Sequence, residues 1–240
     1  MRLLWYILKP VVQLIALMIC RVEVSKEQPS YPQGPLIIVA NHLSWADIPF
    51  LGITFPRRIC FMAKQELFRS PLLSFIIRGV GSFPVHKGQF DRQALRKAQE
   101  VLNKGLVLGV FPEGKRSLSA RLMSPYPGAA LVALHTGAPL LPVGITGTEE
   151  LERKGWMWRR PRVTLRYGRP FHLPALETRL NRAQLASLSD FIMERIAELL
   201  PESYRGVYGG KEKVEDRASP RDGVLLRSEA SPEDSRAGCR

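Results

Sequence analysis

Short apolar runs that alternate with longer stretches of helical spacing constrain this fold more than any other feature of the chain. Six runs stand out: Pro35–Ala40 (PLIIVA), Arg58–Ala63 (RICFMA), Ser82–Val85, Leu106–Phe111 (LVLGVF), Leu140–Thr146 and Arg162–Tyr167. Each has the length of a strand. Helices are expected to begin near Ser44, Ser70, Asp91, Pro127 and Asn181. The last carries apolar positions at helical spacing to Leu200 and stops before Pro201. Strands alternating with helices predict an α/β fold, a mixed sheet flanked by helices. No internal repeat interrupts the pattern.

At 240 residues and 45% hydrophobic side chains, the chain suits one domain with appendages and a sizeable core. The first appendage is apolar. Residues 3–20 read LLWYILKPVVQLIALMIC between Arg2 and Arg21. A helix of that length reaches ~27 Å, just short of the ~30 Å hydrocarbon core. Lys9 and Pro10 interrupt it. A lysine near mid-bilayer costs roughly 2.5–3.5 kcal/mol, and proline removes a helix hydrogen bond. Residues 1–21 are therefore read as a membrane-associated helix, lying in the interface or dipping part-way, with Lys9 reaching the headgroups. A full span and a buried core helix remain open. A cleaved signal peptide, or a lipoprotein site at Cys20, would need small residues where Leu17, Met18 and Ile19 stand.

Residues 22–209 make the main domain. Beyond it, residues 210–240 contain no aromatic residue, Ile or Met and are rich in charge, Ser, Gly and Pro. Such a stretch buries too little surface to offset its ordering entropy, so a disordered tail is expected.

The formal charge is +13, from 35 Lys and Arg against 22 Asp and Glu. Residues 211–240 hold seven basic and seven acidic side chains, so the whole excess lies in residues 1–210. Its partner must be anionic: nucleic acid, a membrane surface or a phosphorylated substrate. The basic residues are not interleaved with surface-suited aromatics and the amino terminus is membrane-like, which disfavours nucleic acid. Cys20, Cys60 and Cys239 are odd in number and lack metal-ligand spacing. Neither a metal site nor a disulfide framework is expected, and a reducing, cytoplasmic setting fits.

Four stretches carry candidate chemistry. The first, Asn41-His42-Leu43-Ser44-Trp45-Ala46-Asp47, directly follows an apolar strand, and ligands of open α/β sheets gather at strand carboxyl ends. An imidazole there can take a proton from a hydroxyl, while a carboxylate on its other nitrogen fixes the tautomer. His42 on the loop and Asp47 in the first helical turn can meet. The same Ser44-to-Asp47 spacing also fits a helix capping box ahead of Ile48–Ile53, and spacing alone leaves both readings open. The second, Phe111-Pro112-Glu113-Gly114-Lys115-Arg116-Ser117, packs two cations and a carboxylate into a turn that can hold a phosphate or lie solvated. Gly109 to Lys115 also matches most of a nucleotide-binding P-loop, but Arg116 stands where Ser or Thr must bind magnesium, and Pro112 and Glu113 spoil a phosphate cradle. The third, Val80 to Gly88, ends a short strand in cations, with Lys87 either a phosphate ligand or an ordinary edge lysine. The fourth, Ala138 to Thr146, is apolar and marked by Pro139 and Pro142, fit for an acyl channel or a buried strand.

These stretches resemble the glycerolipid acyltransferases, the family that includes the 1-acylglycerol-3-phosphate acyltransferases. Its NH-x4-D block matches Asn41-His42 to Asp47, its G-x-F-x-x-x-R block Gly81 to Lys87, its F-P-E-G-x-R-S block Phe111 to Ser117, and its V/L-P-V block Leu141-Pro142-Val143. Ala63 to Leu67 is similar to a stretch that members carry between the first two blocks. The order across residues 41–146 is specific in the first and third blocks and weak in the others.

The resemblance implies that His42 is the general base and Asp47 its partner. It implies that Glu113, Gly114 and Arg116 serve acceptor binding and that Lys87 contacts phosphate. It also implies acylation of a hydroxyl on 1-acylglycerol-3-phosphate by acyl-CoA or acyl-ACP as co-substrate, without another cofactor. The expected partners are membrane lipid, the acyl carrier and a small phosphate-bearing acceptor, with the active site on the cytoplasmic face of a membrane. Other lysophospholipids, glycerol phosphate and lyso-amino-acid lipids are alternative acceptors. Backbone N–H groups near Gly114 are the candidates for holding an oxyanion. Two departures stand out: Lys87 replaces the usual Arg and lacks its bidentate fork, while Lys115, where Thr is common, adds a cation.

Overall fold

The computed structural model describes residues 2–69, 74, 82–85, 92–174 and 181–210. The expected helix start at Ser70 and the expected disordered tail beyond Gly210 lie outside them.

The elements follow in the order α1 (Arg2–Ile19), β1 (Arg21–Lys26), β2 (Leu36–Ala40), α2 (Asp47–Thr54), β3 (Ile59–Lys64), β4 (Phe83–Val85) and α3 (Arg92–Asn103). They continue with β5 (Val107–Val110), α4 (Gly128–Thr136), β6 (Leu140–Thr146), β7 (Arg162–Tyr167) and α5 (Arg182–Ala197). The strands form one seven-stranded sheet in the order β1-β7-β6-β2-β5-β3-β4. Strands β6, β2, β5, β3 and β4 run parallel, β7 pairs antiparallel with β6, and β1 is parallel to β7. The sheet is therefore mixed.

Strand alternation divides the core in two. Leu36, Ile38 and Ala40 of β2 face α1 and α2, while Ile37 and Val39 face α3, α4 and α5. All five residues of β2 are buried, as a central strand covered on both faces requires. Beyond Ala40 the side chain of Asn41 continues the ladder. Its Nδ2 donates to the Ile145 carbonyl and its Oδ1 accepts from the Ile145 amide, both at 2.8 Å. Pro142 is tolerated inside β6 because the β7 ladder ends beside it: Val143 pairs with Tyr167, and the Gly168 amide then donates to the Pro142 carbonyl. At the start of α5, Asn181 and Gln184 form a complete capping box.

Two elements depart from expectation. Strand β1 has no counterpart in the predicted set. Its sequence RVEVSK is mostly exposed, and only Val22 and Val24 hint at alternation. It adds to the sheet edge by pairing with β7. Helix α1 packs on α2 and β1 through Val12, Ala16 and Ile19, with Cys20 just beyond its end in the same core. Lys9 does not reach outward to headgroups. Its Nζ donates to the Phe55 carbonyl at 2.8 Å and sits 4.7 Å from the Trp5 ring, so it caps the carboxyl end of α2. Burial, then the neighbouring Lys26, push its pKa down. Among the described residues no helix is long and apolar enough to cross a membrane.

Candidate active site

The five parallel strands end along one edge of the sheet. At its centre β2 leads into α2 on one face, while its neighbour β5 leads to α4 on the other. Adjacent strands whose connections diverge open a crevice at their carboxyl ends. The loop after β2 brings His42 to this crevice, and the loop after β5 brings Phe111 to Ser117.

Asp47, the first residue of α2, is fully buried. Its Oδ2 lies 2.7 Å from His42 Nδ1 and accepts the backbone amides of Leu43 at 2.7 Å and Ser44 at 2.9 Å. Its Oδ1 accepts the Thr148 hydroxyl at 2.5 Å. Four donors thus compensate the burial of this charge. The bond to Ser44 N–H is one half of a capping box. The other half is missing: the Asp47 amide donates to the Ser44 carbonyl at 3.2 Å, while the Ser44 hydroxyl accepts from the Ala46 amide at 3.3 Å and donates to Glu152 Oε1 at 3.0 Å. One carboxylate therefore anchors the imidazole and supplies one half of the capping box, the two readings that the spacing left open.

A neutral imidazole with Nδ1 against a carboxylate carries its proton there and presents Nε2 as an acceptor. Among the described residues Nε2 has no hydrogen-bond partner, and the side chain is 13% exposed. The ring lies flat on Phe111, with centroids 4.1 Å apart and planes at 16°. Phe111 is itself stacked against Phe61 at 6.0 Å. Gly109, paired with Phe61 across the β3–β5 ladder, makes room for that ring: a Cβ there would overlap it. Gly109 is thus a strand residue, consistent with the rejected P-loop.

Glu113 joins the two loops. Its oxygens accept the amides of His42 and Met123, each at 3.0 Å, and it is 1% exposed. Burial pushes its pKa up to about 7, opposed by those two amides and aided by nearby Asp47. A carboxylate so enclosed braces the site, with both oxygens turned to backbone amides rather than to solvent. The Ser117 amide adds a second tie by donating to the His42 carbonyl at 2.7 Å.

Gly114 occupies the left-handed region at φ +64°, and a Cβ there would press on the Tyr126 ring at 2.8 Å. Its amide donates to the Phe111 carbonyl at 3.0 Å, so that N–H is not available to an oxyanion. Arg116 pairs with Glu152 at 2.5 Å and stacks on Trp45, 4.7 Å from the ring. Its side chain remains 27% exposed. Lys87 lies outside the described residues.

His42, Asp47, Glu113 and Arg116 thus meet at one edge of the sheet. Sequence reasoning missed Thr148, Glu152 and Trp45. The available signal for Thr148 was its position just past the β6 strand, the place that marked His42 and Glu113. Among the described residues no group of His, Cys, Asp and Glu is suited to hold a metal ion.

Residues 21–146 match the family model described as Acyltransferase. The chain is 28% identical over 167 residues to the 1-acyl-sn-glycerol-3-phosphate acyltransferase of Bacillus subtilis (strain 168), covering 68% of this chain and 80% of that one. It is 32% identical over 116 residues to the lyso-ornithine lipid O-acyltransferase of Pseudomonas aeruginosa, covering 48% and 44%. The crystal structure of the 1-acyl-sn-glycerophosphate acyltransferase PlsC from Thermotoga maritima superposes with a TM-score of 0.64 at 29% identity, covering 81% of this chain and 79% of that one. The matched model spans the crevice and both of its loops, and the chain belongs to the acyltransferase family.

Proposed function

We propose that the protein acylates the free hydroxyl of 1-acylglycerol-3-phosphate with a fatty acyl group from an acyl thioester, giving phosphatidic acid. The named relatives in Bacillus and Thermotoga support this acceptor. The observation that carries the reading is the His42 ring, anchored at Nδ1 by a buried carboxylate and unpartnered at Nε2 among the described residues.

In the reaction His42 Nε2 takes the proton from the acceptor hydroxyl as its oxygen attacks the thioester carbonyl carbon. The Asp47 carboxylate stabilises the imidazolium. The tetrahedral intermediate then collapses, the C–S bond breaks, and the imidazolium returns its proton to the departing thiolate. General base assistance of this kind contributes ~10²–10⁴-fold. Arg116 exchanges its exposed contact with Glu152 for the acceptor phosphate, and Lys87 adds a second cation. Donor carriers are CoA or acyl carrier protein. Since the acceptor and product are lipids, the reaction takes place at a membrane, with α1 in the interface and the site on the cytoplasmic face.

Purified protein given lysophosphatidic acid and acyl-CoA is expected to form phosphatidic acid, and His42→Ala to abolish it. Near-full activity in that variant would reject His42 as the base. The likeness to the Pseudomonas enzyme favours a second acceptor, a lyso-amino-acid lipid. Turnover of lyso-ornithine lipid about tenfold or more above that of lysophosphatidic acid in the same assay would replace the first reading with the second.

A further inference from the structure

The connection from β6 to β7 carries Thr148 and Glu152 into the site and then projects outward as the helical turn Trp156–Arg159. Trp158 is 92% exposed and Met157 62%. A tryptophan left almost wholly in water needs a reason, because its ring is amphipathic and favours an apolar–polar boundary. The turn is held in place at both ends. Gly155 before it and Arg160 after it are left-handed, at φ +76° and +44°, and a non-glycine residue there is strained. The Arg160 guanidinium donates to the Leu17 carbonyl of α1 at 3.0 Å.

That bond sets the turn beside the carboxyl end of α1. The outer face of α1 is apolar and, among the described residues, without a partner: Leu14, Leu17 and Met18 are 62%, 50% and 67% exposed. Lys154, Arg159 and Arg160 are exposed around the turn. The charge therefore matches an anionic lipid surface. The position matches too. Strand β7 begins where β6 ends, and α1 ends where β1 begins beside β7. Turn, helix end and His42 thus share one edge of the sheet.

We propose that Met157 and Trp158 are a second membrane anchor, seated with the outer face of α1 on an anionic bilayer so that the crevice opens toward its lipid substrate. This rests on the membrane reaction proposed above. The test is flotation of the full chain with phosphatidylglycerol–phosphatidylcholine vesicles, comparing wild type with Met157→Ser/Trp158→Ser. The double variant is expected to lose about tenfold or more in vesicle partition. Its turnover of a short-chain, monomeric lysophosphatidic acid is expected to stay within twofold. Charge reversal by Lys154→Glu/Arg159→Glu is expected to weaken flotation and flatten its salt dependence. Wild-type flotation in the double variant would overturn the proposal. So would a wild-type dimer in lipid-free solution that the same double substitution dissociates, which would make the patch a protein interface. Failure of wild type to acylate the monomeric acceptor would sink the substrate reading alone, since flotation needs no turnover.

Discussion

Replacing Thr148 by valine removes one hydroxyl and keeps the shape. In the fold Thr148 and Asp47 are both 0% exposed, and the Thr148 hydroxyl is the donor to Asp47 Oδ1 at 2.5 Å. The substitution leaves that oxygen buried and unpaired, while Oδ2 keeps its contacts with His42, Leu43 and Ser44. A hydrogen bond to a charged group contributes ~1.5–3 kcal/mol. For a chain of this size each kcal/mol shifts the melting temperature by ~2–4 °C, so a fall of roughly 3–12 °C is expected. The same energy bounds the kinetic effect. If all of it serves to hold the carboxylate toward His42, kcat falls by roughly 10- to 150-fold. Thr148→Ser keeps the hydroxyl and is expected to retain most of both properties. Thermal unfolding followed by fluorescence, with kcat for lysophosphatidic acid and acyl-CoA, measures the two effects. An unchanged midpoint with kcat within twofold of wild type would refute the reasoning. A serine variant as damaged as the valine one would assign the effect to methyl packing.

Asp47→Asn can keep the hydrogen-bonded outline but not the charge opposite the imidazolium, so kcat is expected to fall ~10²–10⁴-fold with a far smaller change in acceptor KM, read from steady-state kinetics. Stability is expected to fall as pH rises from Glu113's ordinary value of 4.5 to about 7, because the buried fold holds the proton that the unfolded chain releases. The loss is on the order of 3 kcal/mol, and urea midpoints across that range should show it in wild type and not in Glu113→Gln. Gly147→Ala combines φ +85° with a Cβ that overlaps the Arg162 carbonyl, whereas Gly137→Ala at φ +63° meets open space. The first is expected to destabilise by more than the ~1–3 kcal/mol of backbone strain that bounds the second, and equal urea midpoints would contradict this. Lys87→Ala is expected to raise the acceptor KM with little effect on the KM for acyl-CoA, and Lys87→Arg to leave both near wild type; an unchanged acceptor KM in the alanine variant would remove Lys87 from the phosphate contact.

Much of the site was legible along the chain because each part of it is local. His42 follows directly on a run apolar enough to be a buried strand, and Asp47 lies five residues on, within reach of a loop and a first helical turn. The Phe111–Ser117 turn follows another such run. Glu113 was legible as part of the site but not in its contacts, since nothing local reveals that both oxygens are enclosed by backbone amides from two loops.

The sequence by itself determined the α/β class, six of the seven strands and the turns that bear chemistry, because periodicity and side-chain type act over a few residues. Only the tertiary structure decided the partners. Thr148 reaches Asp47 across 101 positions and Glu152 reaches Ser44 across 108. Lys9 turned inward because the α2 carboxyl end, 46 positions away, offered a carbonyl. Strand β1, nearly polar enough to be a loop, became a strand because the exposed edge of β7 offered it hydrogen bonds. Such contacts depend on which strands lie side by side, and that order is a property of the packed sheet that no short window of residues carries.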